Sequence, residues 1–474
     1  MKTRLSLLVL LCVSLFITSC SNDDDNNPTP TPPMEKNIVE LALDTPELST
    51  LVAALSRADG DLVNVLSGNG PFTVLAPTNA AFTAFLADNG FSSLDQVPTD
   101  LLSQILLNHV IMSDVISSDL MAAGSGYTKG SVIGAGDQNI SVFFDTTNGV
   151  RFNNAASVST ADIDASNGTI HIINGVLGLP DIVDHAVANP SFTSLVTALG
   201  AADGDLVNVL KGAGPFTVLA PDNDAFATFL DGTPLGDVNT AILSQILLNH
   251  VIAGSAVTSS SLVDAGSGYT NTAATGAGGN PMSLYFNTTN NVTFNGISTV
   301  FQADVVGTNG IIHAVDTVIG IPTVVTFALA DPNFSTLVSA LTTLTPGTDF
   351  ASILSRTEDS NADGINPNFT VFAPTNDAFD ALESVPGETV LTQVLLHHVI
   401  NESNITSDML NNPGDTSAPT LEGDNITITL PGSGDNIGNI TDGSGASDIG
   451  IIAVDVQAGN GVVHVINKVM IPNL

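Results

Sequence analysis

GPFTVLAPTNAAF, at Gly70–Phe82, decides the reading of this chain because the chain says it three times. It returns as GPFTVLAPDNDAF at Gly214–Phe226 and as NFTVFAPTNDAF at Asn368–Phe379. Within the first copy, Phe72–Leu75 is a short apolar β run stopped by Pro77, and Thr78 stands where a helix N-cap is wanted. Phe82, Phe85 and Leu86 then make the apolar stripe of a helix; in the second copy Asp222 takes the cap position and Phe226, Phe229 and Leu230 the stripe. Two further blocks keep the same order. SQILLNHVI begins at Ser103 and again at Ser244, with TQVLLHHVI from Thr392; NGTIHIINGVLGLP, NGIIHAVDTVIGIP and NGVVHVINKVMIP begin at Asn167, Asn309 and Asn460. A period of about 140 residues is too long for a solenoid unit of about 20–50 residues. It suits an independent domain of about 100–150 residues. The sequence predicts three tandem domains of one kind, over residues 37–180, 181–322 and 323–474.

Each unit reads as helices first and strands afterwards. Leu41, Leu48, Leu51, Val52 and Leu55 recur at helical spacing, and Leu62, Val65 and Leu66 share one face of the DLVNVL segment. The SQILLNHVI helix places Ile105, Leu106 and His109 on one side. Beyond it the texture changes to Gly, Ser, Thr and Asn with alternating apolar residues, as in Ile140–Phe144, which reads as short strands and turns. Thr169–Ile173 closes the unit as a strand. This order predicts an α+β fold, not an alternating βαβ sheet.

TVLAPTNAAF, the LLNHVI helix and NGTIHIINGVL resemble the two signature blocks, and the histidine block between them, of the fasciclin domain family. The resemblance covers residues 37–474, with all three blocks in order in each unit. It implies, for each domain, a β-wedge of about seven strands packed against a small helical bundle. It also implies a secreted or membrane-anchored protein of cell adhesion or matrix binding.

The N-terminus carries a processing signal. Lys2 and Arg4 precede the apolar stretch Leu5–Ile17, which is too short for a membrane span. Ile17-Thr18-Ser19-Cys20 resembles a bacterial lipobox, so residues 1–19 are read as a lipoprotein signal peptide and Cys20 as the acylated residue that anchors the chain to a membrane. Residues 20–36 form an acidic, proline-rich tether, and Asp23–Asp25 behind Cys20 resembles the signal that sends some outer-membrane lipoproteins to the cell surface. With Cys12 in the signal peptide and Cys20 acylated, the three domains hold no thiol and must stand on their cores; 43% hydrophobic residues allow that.

Nine basic residues stand against 47 acidic ones, for a net charge of −38. So negative a surface repels phosphate backbones, and nucleic-acid partners are excluded. The partners expected are proteins or polysaccharides of a matrix or of neighbouring cells. There is no G-x-S-x-G elbow, no H-E-x-x-H and no Walker loop, so no enzyme is predicted.

The histidines recur in register. His109, His250 and His398 share one position, and His171, His313 and His464 another. Lying in an apolar helix and an apolar strand without ligand-spaced partners, they read as structural histidines making internal hydrogen bonds. His185 and His397 have no counterparts and are expected to face solvent. In animal relatives an Asp-Ile pair ahead of the N-G-x-x-H block is implicated in integrin binding. The resemblance carries that role to Asp162-Ile163, Asp304-Val305 and Asp455-Val456, the last two with Val for Ile. An Asp that pairs with backbone amides at a strand entrance would recur just as regularly.

The third unit inserts RTEDSNADGINPN, in which Asp359, Asn361, Asp363 and Gly364 have the D-x-N-x-D-G spacing of a calcium loop. Thr370 stands where the bidentate Glu belongs. Calcium is the one cofactor this pattern suggests, and a solvated acidic turn fits it as well. Two other functions stay open: capture of a glycan or small ligand, which a pocket around Tyr127 or Tyr269 of the repeated GSGYT would favour, and a structural spacer.

Overall fold

The computed structural model describes residues 35–474; the signal segment, Cys20 and most of the tether lie outside the described residues. In the first domain, helices α1 (Ile38–Asp44), α2 (Ser49–Arg57) and α3 (Leu62–Ser67) precede strand β1 (Phe72–Pro77). Helices α4 (Asn79–Asp88) and α5 (Thr99–Asn108), strand β2 (Val110–Ile111) and helix α6 (Ser117–Ala123) follow. Strands β3 (Ser125–Ile133), β4 (Asn139–Asp145), β5 (Arg151–Phe152), β6 (Ala156–Ala165) and β7 (Gly168–Ile173) complete it. The seven strands form one sheet in the order β2-β1-β7-β6-β5-β4-β3, and the other two domains repeat that order. The fold is α+β three times over.

The repeated blocks explain the sheet. Thr78 Oγ1 accepts from the Ala81 amide at 3.2 Å, Asp222 from Ala225 at 2.8 Å and Thr375 from Ala378 at 3.3 Å, so each β1 equivalent turns straight into a capped helix. β1 and β7 pair in parallel, Phe72 opposite Gly168. Their alternating side chains serve two cores. Phe72, Val74, Ala76, Ile170 and Ile172 pack under the helices, while Leu75 and Ile173 face the curled half of the sheet with Val142, Phe144 and Phe152.

The asparagine that opens the third block ties each unit together. Asn309 accepts from the Ile182 amide at 3.1 Å and donates to the Leu210 and Gly212 carbonyls at 2.8 and 2.7 Å. Asn167 and Asn460 make the same three bonds in their domains. One side chain thereby joins the first helix, the third helix and the sheet.

Neighbouring domains meet directly. The β3–β4 hairpin of the first domain lies on the end of the second domain's strand Ser298–Val306: Ala135 donates to Gly307 O at 3.0 Å and the Val306 amide to Ser141 Oγ at 2.9 Å. Tyr127 sits edge-on to His185, and its hydroxyl accepts from Asn189 at 3.1 Å. The second junction repeats this with Ala277 to Ala458 O at 3.0 Å, Gln457 to Ser283 Oγ at 2.9 Å and Tyr269 edge-on to Phe327.

Candidate functional site

The Asp-aliphatic pairs sit on a β-bulge. Asp162, Asp304 and Asp455 have φ of 57°, 56° and 62°, and the ladder to the closing strand skips beside each of them. Asp tolerates this left-handed region better than most side chains. Each carboxylate caps a neighbouring turn, accepting from the amides of Ser117 at 2.7 Å, Ser259 at 2.9 Å and Ser407 at 2.8 Å, and from the three serine hydroxyls. The Ser117 hydroxyl and amide hold the Asp162 carboxyl below its ordinary pKa. The recurrence of Asp thus has a folding cause.

The three copies differ in what solvent reaches. The Asp162 side chain is 42% exposed and Ile163 is half-buried. Val305 and Val456 are buried at the junctions, and Asp304 and Asp455 are only partly open. Among the described residues no domain covers the first bulge. Asp162-Ile163 is the most open pair of the three.

The histidines use both ring nitrogens. His109 Nδ1 lies 2.7 Å from Ile105 O and its Nε2 accepts from the Leu177 amide at 2.9 Å; His250 and His398 repeat the pattern with Ile246 O and Ile319, and with Val394 O and Met470. Burial pushes all three down to about 4. His171, His313 and His464 take the opposite tautomer. Nε2 lies 2.8, 2.9 and 2.8 Å from Val115, Val257 and Ile405 O, while Nδ1 accepts from the bulge amides of Asp162, Asp304 and Asp455. These rings staple the bulge to the helix-turn beside it.

Two expectations fail. His185 and His397, expected in solvent, are both fully buried. His185 is on the inner face of helix α7 (Ile182–Ala188), 3.0 Å from Val306 O, beneath the Tyr127 ring of the preceding domain. Its burial depends on a neighbour that its own segment does not reveal. His397 takes the place of Asn108 and Asn249 and accepts from the Gly443 amide at 3.1 Å.

In the expected calcium loop the Asp363 carboxylate already has a partner. Both Asp363 oxygens are held by Arg356, at 2.8 and 2.9 Å, and the Asn361 amide bonds Glu358 O and Asn366. A calcium ion would have to displace the guanidinium. Sequence reading missed a second group, His397 with Glu422 and Asp424. There the Gly443 N–H occupies Nε2, so the ring proton sits on Nδ1, facing Thr420 Oγ1 at 3.2 Å and Glu422 at 3.5 Å. That tautomer offers a donor, not a lone pair, to a cation.

Tyr127 and Tyr269 each lie against the following domain. Both are junction residues; burial raises the Tyr127 hydroxyl to about 12, and burial with the adjacent Asp331 raises that of Tyr269. Their signal was in the sequence: GSGYT occurs in the two units that another unit follows, and not in the third.

Comparison with known families matches the Fasciclin domain at residues 46–180, 190–322 and 332–472. The chain belongs to the fasciclin-domain family. It is 26% identical over 442 residues to periostin from Homo sapiens, covering 90% of this chain and 46% of that protein. It is 27% identical over 447 residues to transforming growth factor-beta-induced protein ig-h3 from Sus scrofa, covering 92% and 58%. The chain therefore spans about half the length of these curated relatives. A shorter stretch, 74 residues, is 46% identical to the cell surface glycolipoprotein MPB83 of Mycobacterium bovis, covering 15% of this chain and 31% of that one. Fasciclin domains are typically involved in cell adhesion and contact with the extracellular matrix.

Proposed function

We propose that this chain is a lipid-anchored adhesion protein of a bacterial outer surface, which binds matrix or neighbouring cells without catalysis. The observation that carries the reading is the open bulge of the first domain. Asp162 presents a half-exposed carboxylate beside a half-buried Ile163, on a backbone locked by His171 and Ser117. Such a carboxylate can complete the coordination of a divalent ion on a partner while the aliphatic neighbour fills a small hollow. The copies in the second and third domains, whose Val305 and Val456 are buried, lie against the preceding hairpins inside the chain. Acylation at Cys20 would hold the tether at the membrane, with more than one acyl chain giving a stable anchor. The acidic surface favours basic or cation-bridged partners.

The test is binding of the full chain, with Cys20→Ser to remove acylation, to matrix proteins, polysaccharides and whole cells, with and without calcium. Saturable binding abolished by Asp162→Ala with Ile163→Ser supports the reading. Binding that survives this change keeps adhesion and rejects the residues. No binding to any surface returns the chain to a spacer, since the tyrosines that favoured glycan capture are inside the junctions.

A further inference from the structure

The two junctions are one interface used twice, and it joins unlike surfaces. One side is a hairpin carrying Tyr127, Ala135 and Ser141, or Tyr269, Ala277 and Ser283. The other is the end of the bulged strand with the helix beside it. A contact between unlike surfaces repeats without limit unless something stops it. The residues at the two faces that no described residue covers are changed in ways that do.

On the receiving side, Ala256, Val306 and Ile311 form a small apolar cluster with Ala135 of the first domain. At the second junction the same positions are Asn404, Gln457 and Val462. Gln457 and Asn404 bond one another at 3.0 and 3.2 Å, and Gln457 also donates to Ala458 O and Gly461 O, so no polar group is left over. In the first domain the three positions are Asp114, Asp164 and Thr169. Thr169 donates to Asp114 at 2.7 Å, and both aspartates line an open pocket of 390 Å³ with Gly70 and Ala165. A hairpin of the same construction would bury two carboxylates under Gly-Ala-Gly, which brings no cation to meet them.

On the giving side, the third domain has lost the parts that reach across. By the pairing of Gly126 with Phe144 and Gly414 with Leu430, Asp415 replaces the tyrosine, Thr427 the serine and Thr429 the aromatic Phe143 or Tyr285. Asp415 accepts from Thr429 at 2.7 Å within its own hairpin. The loop that matches Gly134–Gln138 and Gly276–Asn280 is Thr420–Asp424, but Leu421, at the place of the donating Ala135 and Ala277, spends its amide inside its own domain, on Val399 O at 2.7 Å. Ser141 and Ser283 are buried where a neighbour covers them, while Thr427 is partly open.

We infer that the junction is a general fasciclin-to-fasciclin interface able to link separate chains, and that this chain is closed to a second copy of itself at both faces. Two carboxylates close one face; the loss of the tyrosine and the inward-turned loop amide close the other. Copies crowded on a surface then remain separate three-domain units, and the bulge at Asp162 stays open to a partner of another kind.

Two kinds of variant of the full Cys20→Ser chain test this by sedimentation. One opens the receiving face, as Asp114→Ala, Asp164→Val and Thr169→Ile after the first junction, or as Asp114→Asn, Asp164→Gln and Thr169→Val after the second. The other replaces residues 414–430 by residues 268–286. The parent and each variant alone should sediment as one chain, a mixture of the two kinds as a pair with doubled mass, and a chain carrying both changes as a concentration-dependent series. Should the graft not fold, a cyclised peptide of residues 267–287 takes its place and should bind the opened chains but not the parent. The inference is overturned if the parent assembles through these faces, or if folded opened chains bind neither graft nor peptide. Neither result touches the Asp162 binding assay, so adhesion can stand or fall separately.

Discussion

The bulge of the first domain and those of the second and third share a backbone and differ in company. All three hold Asp in the left-handed region, capped on serine and stapled by histidine. Only in the second and third does a preceding hairpin lie across it, with Val306 and Gln457 donating to a serine of another domain. Equivalence by repeat therefore settles conformation and leaves exposure undecided. A residue inherits its dihedral angles from its own unit and its availability from the neighbour.

Acid should separate the covered domains from the open one most strongly. Burial lowers the pKa of His109 in the first domain, of His185, His250 and His313 in the second, and of His397, His398 and His464 in the third. An unfolded histidine takes its proton near 6.5, whereas His109, His185, His250 and His398 stay neutral until about 4. Stability is thus whole above pH 6.5 and is lost as pH falls toward 4, by about 3 kcal/mol for each such ring. Domain-resolved hydrogen exchange across that window should find the second and third domains opening before the first. Simultaneous opening would remove the histidines from the account.

The asparagine keystones offer the next largest contrast. Asn309→Ala leaves buried groups unbonded in the second domain and should cost about 3 kcal/mol, with less for Asn167→Ala, where the site is more open. Denaturant unfolding followed domain by domain checks the order. At the junctions, Tyr269→Phe loses a bond to the Asp331 carboxylate at 3.0 Å and Tyr127→Phe a bond to the neutral Asn189. The first should weaken its junction by about 2 kcal/mol and the second by about 1 kcal/mol, read as faster exchange of the Gln457 and Val306 amides. Calcium should have the smallest effect. Titration calorimetry should find weak calcium binding in the parent, and tighter binding once Arg356→Ala frees Asp363.

Much of this fold was legible because it was written three times. The caps at Thr78 and Asp222, the apolar stripes and the helix-then-strand order are local signals, and locality is what a sequence displays. The junctions were illegible for the opposite reason. Tyr127 meets His185 across a domain boundary, and nothing in DIVDHAVA shows that a ring will cover it. The Asp-aliphatic pairs were found by resemblance, but their division into one open and two covered copies needed the packing of whole domains.

The most direct measurement compares binding of the full Cys20→Ser chain with that of three single-domain variants: Asp162→Ala with Ile163→Ser, Asp304→Ala with Val305→Ser, and Asp455→Ala with Val456→Ser. If the open bulge carries adhesion, the first variant loses saturable binding while still folded, and the other two keep it wherever their junctions hold. Equal loss in all three, or loss in none, would contradict the account.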